Sequence, residues 1–235
     1  MTGGGRRGGA AGDATPRATG MRSRPEIHPR ATIVGHPLVR HKMSLLRDAS
    51  TERKLFRELV DEIAMLLAYE ATADLELHRR TVRTPLEETE GWSIDQDGLV
   101  LVPILRAGLG MVEGMRRLVP TMNVGHIGLE REHDTLEPVD YYFNIPPDPG
   151  ERLFVVVDPM LATGGTAAAA VDYLRDSGAR DVRLVCILAA PEGMERMGRE
   201  HPDVPVFAAA LDRELSDDGY VLPGLGDAGD RLYGT

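Results

Sequence analysis

The sequence has 235 residues, enough for one large domain or two small ones at about 100 to 200 residues per domain. Hydrophobic residues make up 42% and charged residues 27%, an ordinary globular composition that excludes collagen-like, coiled-coil and wholly disordered chains. No apolar run reaches the roughly 18 residues that span a bilayer, so we predict no membrane segment and no membrane partner.

Residues 1–30 are predicted to be a disordered basic tail. They are rich in glycine, alanine, arginine and threonine, and they show no apolar periodicity to offset the entropy of ordering. Six arginines against two acids give this tail a net charge of +4, which leaves −14 on residues 31–235. Because so acidic a body repels nucleic-acid phosphate, no nucleic-acid partner is predicted. Residues 31–235 are predicted to form one folded domain.

The body shows helical and strand patterns in alternation. From Thr51, apolar residues spaced three and four apart predict a helix with Phe56, Leu59 and Ile63 on its buried face. Runs apolar on both faces and joined by helices are typical of a mostly parallel sheet covered on both sides. The predicted fold class is therefore α/β, with a mostly parallel central sheet flanked by helices. The predicted strands are 99–105, 124–129, 153–157, 182–188 and 204–211, and the predicted helices are 111–118, 166–176 and 191–200.

The loop after the strand 153–157 carries a candidate binding site. Asp158 follows this strand directly, and Thr163-Gly164-Gly165-Thr166 stands at the predicted start of a helix. In a parallel sheet, loops after the carboxyl ends of strands form the ligand site. N–H groups of a glycine loop at a helix start can bind a phosphate, and the acid can accept hydrogen bonds from sugar hydroxyls. A simple helix-capping turn would explain the two glycines but not the whole string 158–166.

The string 158–166, Asp-Pro-Met-Leu-Ala-Thr-Gly-Gly-Thr, resembles the phosphoribosyl-pyrophosphate signature of the phosphoribosyltransferases. Most members carry two adjacent acids there, whereas Asp158-Pro159 is the form used by uracil phosphoribosyltransferases. Further strings match at 36–42, 69–75, 103–111, 135–139 and 223–230, so the resemblance covers about residues 34–235. It implies the phosphoribosyltransferase type of fold, with a flexible hood loop and a C-terminal base-binding loop.

The resemblance also implies a reaction. The enzyme would transfer the 5-phosphoribosyl group from 5-phosphoribosyl 1-pyrophosphate to N1 of uracil, giving UMP and pyrophosphate in pyrimidine salvage. Two alternatives stay open: a non-catalytic, pyrimidine-responsive RNA-binding regulator on the same fold, and a phosphoribosyltransferase for another nucleobase. The regulator needs a basic face, which a charge of −14 does not favour. Another base would require a different base-binding loop.

Two arginines are candidates for binding the pyrophosphate. Arg106 follows the strand 99–105, where its guanidinium can donate two parallel bonds to an anion; without the resemblance it would be a helix-surface arginine. Arg131 begins a long polar segment that the resemblance identifies as the hood, although Glu130 stands where the family has an aromatic residue. Without the resemblance, Arg131 would be an exposed ion-pair residue among acids. The residues implied to bind phosphoribosyl pyrophosphate are Arg106, Arg131, Asp158, Pro159, Met160, Leu161, Ala162, Thr163, Gly164, Gly165, Thr166 and Asp227.

The segment 220–230 is the candidate base site. It is too rich in glycine for a helix or strand and too apolar for an ordinary surface loop, and small residues allow close approach of the backbone. The resemblance implies that uracil contacts Val221, Gly226, Asp227 and Ala228, mostly through main chain. It also implies Mg²⁺ as the cofactor, held by Asp227 directly or through water; otherwise Asp227 would be a loop-capping aspartate. The implied catalytic residues are Arg106, Arg131 and Asp227.

The remaining expectations concern location and assembly. The single cysteine, Cys186, lies in an apolar run, which predicts a buried structural thiol and fits the reducing cytoplasm. Members of the family associate as dimers or tetramers, so the resemblance implies a homo-oligomer. GTP activates some relatives, which makes it a candidate allosteric activator here.

Overall fold

The computed structural model describes residues 22–23, 27–131 and 138–235. The helices are α1 (Pro37–Arg47), α2 (Arg53–Ala71), α3 (Leu109–Arg116), α4 (Gly165–Asp176), α5 (Pro191–Glu200) and α6 (Ala228–Tyr233), with a short 3₁₀ turn at Pro149–Glu151. The strands are β1 (Arg22–Ser23), β2 (Ala31–Ile33), β3 (His78–Arg83), β4 (Glu88–Ser93), β5 (Leu99–Leu105), β6 (Asn123–Val124), β7 (His126–Arg131), β8 (Pro138–Asn144), β9 (Leu153–Val157), β10 (Met160–Leu161), β11 (Asp181–Ala189), β12 (Val206–Leu211), β13 (Glu214–Leu215) and β14 (Val221–Leu222).

The central sheet is mostly parallel, which confirms the predicted fold class. Its strand order is β1-β2-β12-β11-β9-β5-β7-β8, and every neighbouring pair from β2 to β7 is parallel. The outermost pairs, β1 with β2 and β7 with β8, are antiparallel. In addition, β6 pairs with β5 and β10 with β11. Because parallel strands end at one edge, the loops after β5, β9 and β12 open on the same side of the sheet.

Apolar cores lie on both faces of this sheet. Leu99 and Leu101 of β5 belong to the core that contains α2, whereas Val100 and Val102 belong to the core that contains α4. This alternation follows from the period of two along a strand. The predicted α2 stripe is buried, and Cys186 is a buried free thiol as predicted. Among the described helices, none is long and apolar enough to cross a membrane.

The folded body begins before residue 31, where the sequence placed its boundary. Within the predicted tail, β1 pairs with β2, and His28 is completely buried. The Nδ1 atom of His28 accepts the Arg30 N–H at 3.0 Å, and Arg30 Nη1 donates to the Asp203 carbonyl at 2.6 Å. Residues 27–30 therefore pack on the body. Residues 1–21 and 24–26 lie outside the described residues, and for them the tail stays a prediction.

Strands β3 and β4 form a two-stranded antiparallel hairpin separate from the central sheet. Its side chains are largely exposed, including Trp92 at 54% and Leu86 at 95%. The guanidinium of Arg79 lies 5.2 Å from the centre of the Trp92 ring and bonds to Glu90 across the hairpin. The hairpin thus presents apolar surface away from both cores.

Candidate active site

A cleft of about 240 Å³ opens where β9 ends and α4 begins. Three segments line it: the residue after Arg106, the loop from Asp158 to the first turn of α4, and the start of α6. The structure therefore brings the predicted phosphate loop and part of the predicted base segment into one cleft. The lining residues are Ala107, Asp158, Met160, Leu161, Ala162, Thr163, Gly164, Thr166, Ala167, Asp227, Ala228 and Gly229.

The loop after β9 is anchored from two sides. The Pro159 carbonyl accepts the N–H groups of Ile187 and Leu188 at 3.2 and 3.0 Å, and β10 pairs with β11. Gly164 has a φ of +77°, which residues with a β-carbon rarely adopt. A β-carbon there would also lie 2.9 Å from the Gly193 carbonyl of α5. The loop is thus fixed between β11 and α5 by backbone contacts.

The start of α4 presents hydrogen-bond donors. The first intrahelical bond runs from the Ala168 N–H to the Gly164 carbonyl at 2.9 Å, so the preceding N–H groups have no acceptor within the helix. The Gly165 N–H makes a long contact of 3.4 Å to the Thr163 hydroxyl. Together with the hydroxyl of Thr166 and the positive end of the helix dipole, these groups are suited to a phosphate.

Asp158 is a part-buried acid at the wall of the cleft, directly after the apolar strand β9. Burial raises the pKa of its carboxyl group from an ordinary value of 3.8 to about 7. The N–H of Met160 donates to this carboxylate at 3.3 Å and partly opposes the increase in pKa. Near neutral pH the side chain therefore exchanges readily between a neutral acid and a charged acceptor. A pKa so displaced beside a cleft is typical of functional sites.

Arg106 stands beside the cleft with an exposed side chain. The residue is exposed, and its guanidinium makes no ion pair or hydrogen bond to the described part of the chain. Its carbonyl accepts the Tyr233 hydroxyl at 3.1 Å and the Leu109 N–H at 3.2 Å. Its neighbour Ala107 lines the cleft, whereas Arg106 itself is not among the lining residues. The backbone is therefore held while the guanidinium is available to an anion.

The four predicted base-site residues do not all reach the cleft. Asp227 and Ala228 line it, whereas Val221 is buried in β14 and Gly226, with a φ of +80°, is not among the lining residues. Asp227 Oδ1 accepts the Asp230 N–H at 2.8 Å and so caps α6. The contact expected of a loop-capping aspartate is thus present, and the same residue lines the cleft together with Asp158.

The predicted hood falls partly outside the described residues. Arg131 is the last residue of β7. The structure describes the backbone of Glu130 and Arg131 but not their side chains. Residues 132–137 lie outside the described residues. After them β8 runs back antiparallel to β7. The implied roles of Arg131 and Glu130 stay predictions.

Three residues that hold the base segment in place were not predicted from the sequence. Arg47 at the end of α1 and Asp212 after β12 both bond to Gly224, and Arg231 bonds to the next carbonyl. One signal existed, because Asp212 follows a predicted strand directly, as Asp158 does. No local pattern links Arg47 to Asp212, since 165 residues separate them.

The carboxylates of the cleft suit a magnesium ion that arrives with a substrate. Among the described residues, no group of three or more His, Cys, Asp or Glu side chains is arranged to hold a metal ion. Mg²⁺, however, is commonly held by one or two carboxylates together with substrate phosphates. Asp158 and Asp227 line the same cleft and supply oxygen donors of this kind.

Comparisons with known proteins agree with this geometry. Residues 33–235 match the family model described as uracil phosphoribosyltransferase. Uracil phosphoribosyltransferases of Exiguobacterium sibiricum and Listeria innocua are 56% and 54% identical over 203 residues, which is 86% of this chain and 97% of theirs. The solved structure of the AQ2163 protein from Aquifex aeolicus has a TM-score of 0.82 at 38% identity, covering 86% of this chain and 97% of that one. The chain therefore belongs to the uracil phosphoribosyltransferase family.

Proposed function

We propose that the protein transfers the 5-phosphoribosyl group of 5-phosphoribosyl 1-pyrophosphate to N1 of uracil, giving UMP and pyrophosphate. The observation that carries this proposal is the single cleft shared by the loop after β9 and the start of α6. A helix start suited to a phosphate and part of a glycine-rich segment suited to a planar base line this same cleft. Membership of the family supports the same reaction, a step of pyrimidine salvage.

The reaction requires charge stabilisation and orientation more than a strong nucleophile. As pyrophosphate leaves, carbon 1 of the ribose gains oxocarbenium character and negative charge grows on the leaving group. Arg106, with its exposed guanidinium, and Arg131 are the proposed cations for that charge. The string 158–166 holds the sugar in register: its main chain and threonine hydroxyls bind the 5-phosphate, and Asp158 accepts hydrogen bonds from the ribose hydroxyls.

The base is proposed to bind the segment around Gly226 mostly through main chain, with Val221, Asp227 and Ala228 as the other contacts. Uracil presents an N–H donor between two carbonyl acceptors, whereas cytosine reverses two of these groups. Cytosine would leave some of these fixed backbone groups without a hydrogen-bond partner. That loss can favour uracil over cytosine by roughly 10⁴-fold. Gly226 supports this placement, because a residue without a β-carbon lets the backbone approach the base closely.

Mg²⁺ is proposed as the cofactor, held by Asp227 directly or through water. When bound, the ion neutralises charge on the pyrophosphate. Asp227 Oδ1 is used to cap α6, which leaves its second carboxylate oxygen as the donor toward the ion. The capping contact also fixes the direction of the carboxylate at the cleft wall.

The proposal extends to assembly and location. We infer a homo-oligomer, a dimer or tetramer, as the family resemblance implies; the exposed Trp92 and Leu86 of the β3–β4 hairpin are apolar groups that an interface could cover. GTP is the proposed allosteric activator. The buried free thiol of Cys186 supports a reducing compartment, the cytoplasm.

A substrate panel tests the function. Purified protein is incubated with 5-phosphoribosyl 1-pyrophosphate, Mg²⁺ and radiolabelled uracil, cytosine, hypoxanthine or xanthine. We expect nucleotide from uracil, and a rate with cytosine lower by at least about 10³-fold. Equal rates with cytosine would contradict the main-chain base site. Turnover of a purine base would favour an enzyme for another base, and pyrimidine-dependent RNA binding without turnover would favour the regulator.

A further inference from the structure

A part-buried ion pair contacts the base segment and lies outside the cleft. Arg47 is in the last turn of α1, and Asp212 follows β12 directly. Their side chains are 24% and 5% exposed, respectively. Neither residue is among those that line the cleft. Any effect of these two side chains on a substrate in the cleft must therefore pass through the main chain that they contact.

The ion pair binds both polar groups of Gly224. Arg47 Nη1 donates to the Gly224 carbonyl and to Asp212 Oδ2, each at 2.7 Å, while Nη2 donates to Oδ1. The same Asp212 Oδ2 accepts the Gly224 N–H at 2.8 Å. The turn is tight as well, because Gly224 has a φ of +69° and a β-carbon there would lie 2.1 Å from the Val221 carbonyl. Gly224 is thus fixed in position and direction.

A second arginine holds the next residue. Arg231 Nη1 donates to the carbonyls of Leu225 and Leu46 at 2.8 and 2.7 Å. Its guanidinium also lies 4.2 Å from the centre of the Phe56 ring. Arg47 and Arg231 therefore tie residues 224 and 225 to the carboxyl end of α1, and neither arginine lines the cleft.

Simple packing does not require this arrangement. Burying a carboxylate with a guanidinium is seldom more stabilising than apolar packing of the same volume. What bidentate, charge-assisted bonds add is fixed geometry. Gly224 stands two residues before Gly226 and three before Asp227. A displacement of the Gly224 peptide would therefore pass directly to the backbone groups that face the base.

We propose that Arg47 and Asp212 are positioning residues that determine nucleobase recognition. They do not touch uracil. They hold the Gly224 peptide so that the main chain at 226–228 keeps the spacing that uracil requires. The inference rests on the proposed function, because it needs the base to bind this segment.

The test compares two carboxylates with matched contacts. Asp61 is a residue of α2 that accepts the Gly114 N–H of α3 at 2.9 Å and pairs with Arg117 at 3.0 Å, as Asp212 does with its own glycine and arginine. Asp212→Asn should raise the KM for uracil by about tenfold or more, since misplacement by about 1 Å can cost on the order of 10²-fold. The KM for 5-phosphoribosyl 1-pyrophosphate should change less than about threefold, and the preference for uracil over cytosine should fall. Asp61→Asn should leave both KM values and the preference unchanged.

Two further variants separate the possible failures. Arg47→Lys keeps the charge but loses the two-pronged donor, so it should raise the uracil KM by less than Asp212→Asn and keeps the test available if the latter does not fold. Ala228→Val places two methyl groups at the cleft wall and reports on the base site itself. If Ala228→Val raises the uracil KM while Asp212→Asn and Arg47→Lys only lower the melting temperature, the positioning role is wrong. If none of the three changes the uracil KM, the base site is assigned to the wrong segment and the proposed function fails with it.

Discussion

Replacing Asp158 by asparagine should make the free protein more stable and the enzyme less active. Burial raises the pKa of Asp158 to about 7, whereas the carboxyl group of the unfolded chain ionises near 3.8. Between these values the folded state keeps a proton that the unfolded state has lost, so stability falls as pH rises. The difference corresponds to at most about 4 kcal/mol above pH 7. Asparagine has no charge to bury and avoids this loss.

The measurement is urea unfolding of both proteins at pH 5 and pH 8. Asp158→Asn should be more stable than the wild type at pH 8, by about 1 to 4 kcal/mol, with a clearly smaller difference at pH 5. Asp181, exposed at the start of β11, supplies the control, because Asp181→Asn should show little difference at either pH. An equal effect of Asp158→Asn at both pH values would refute burial of the charge as the cause.

The same ionisation should appear in the kinetics. Only the charged carboxylate accepts hydrogen bonds from two ribose hydroxyls without donating a proton itself. In the wild type, kcat/KM for 5-phosphoribosyl 1-pyrophosphate should therefore rise with pH through a midpoint near 7. In Asp158→Asn this midpoint should disappear and kcat/KM should be low at all pH values. A variant that keeps the midpoint would assign it to another group.

Two further predictions follow from the exposed guanidinium of Arg106 and from the N-terminal tail. Arg106→Ala should lower kcat by roughly 10² to 10³-fold with little change in melting temperature, and the kcat of Arg106→Lys should fall between those of Arg106→Ala and the wild type. If Arg106→Ala instead loses stability sharply, and loses activity only in proportion to the folded fraction, Arg106 is a structural residue. Deleting residues 1–21, which keeps β1 and the buried His28, should leave melting temperature and turnover nearly unchanged; a large loss of either would show that the tail docks on the body.

The interior of the sheet was predictable because its strands carry a strong local signal. β5 and β9 are apolar on both faces and have the predicted bounds, as does α5. The edges gave no such signal. β1 falls in a segment without apolar periodicity, and β8 lies in the polar segment assigned to the hood. An edge strand needs apolar residues on fewer sides, so its sequence carries a weaker strand pattern. Pairing with β2 and β7 is a tertiary effect that composition does not report.

The site was predictable as far as its chemistry is local. Asp158 and the glycines that follow it form one continuous string, so the phosphate loop could be read directly from the sequence. The pKa of Asp158 could not, because its burial depends on the strands on either side of β9. The contact of Arg47 with Asp212 was equally invisible, since it joins residues 165 positions apart.

The two walls of the cleft are supported by different kinds of contact, and this difference has a consequence for specificity. The phosphate wall is held by backbone pairing of β10 with β11 and by close packing of Gly164 against α5, neither of which depends on a charged side chain. The base wall is held by Arg47, Asp212 and Arg231, which bond to main chain at 224 and 225. Substitutions behind the base wall can therefore move the backbone that faces the base while the phosphate wall stays in place. Base preference should accordingly be easier to alter than phosphoribosyl binding, and by residues that contact neither substrate.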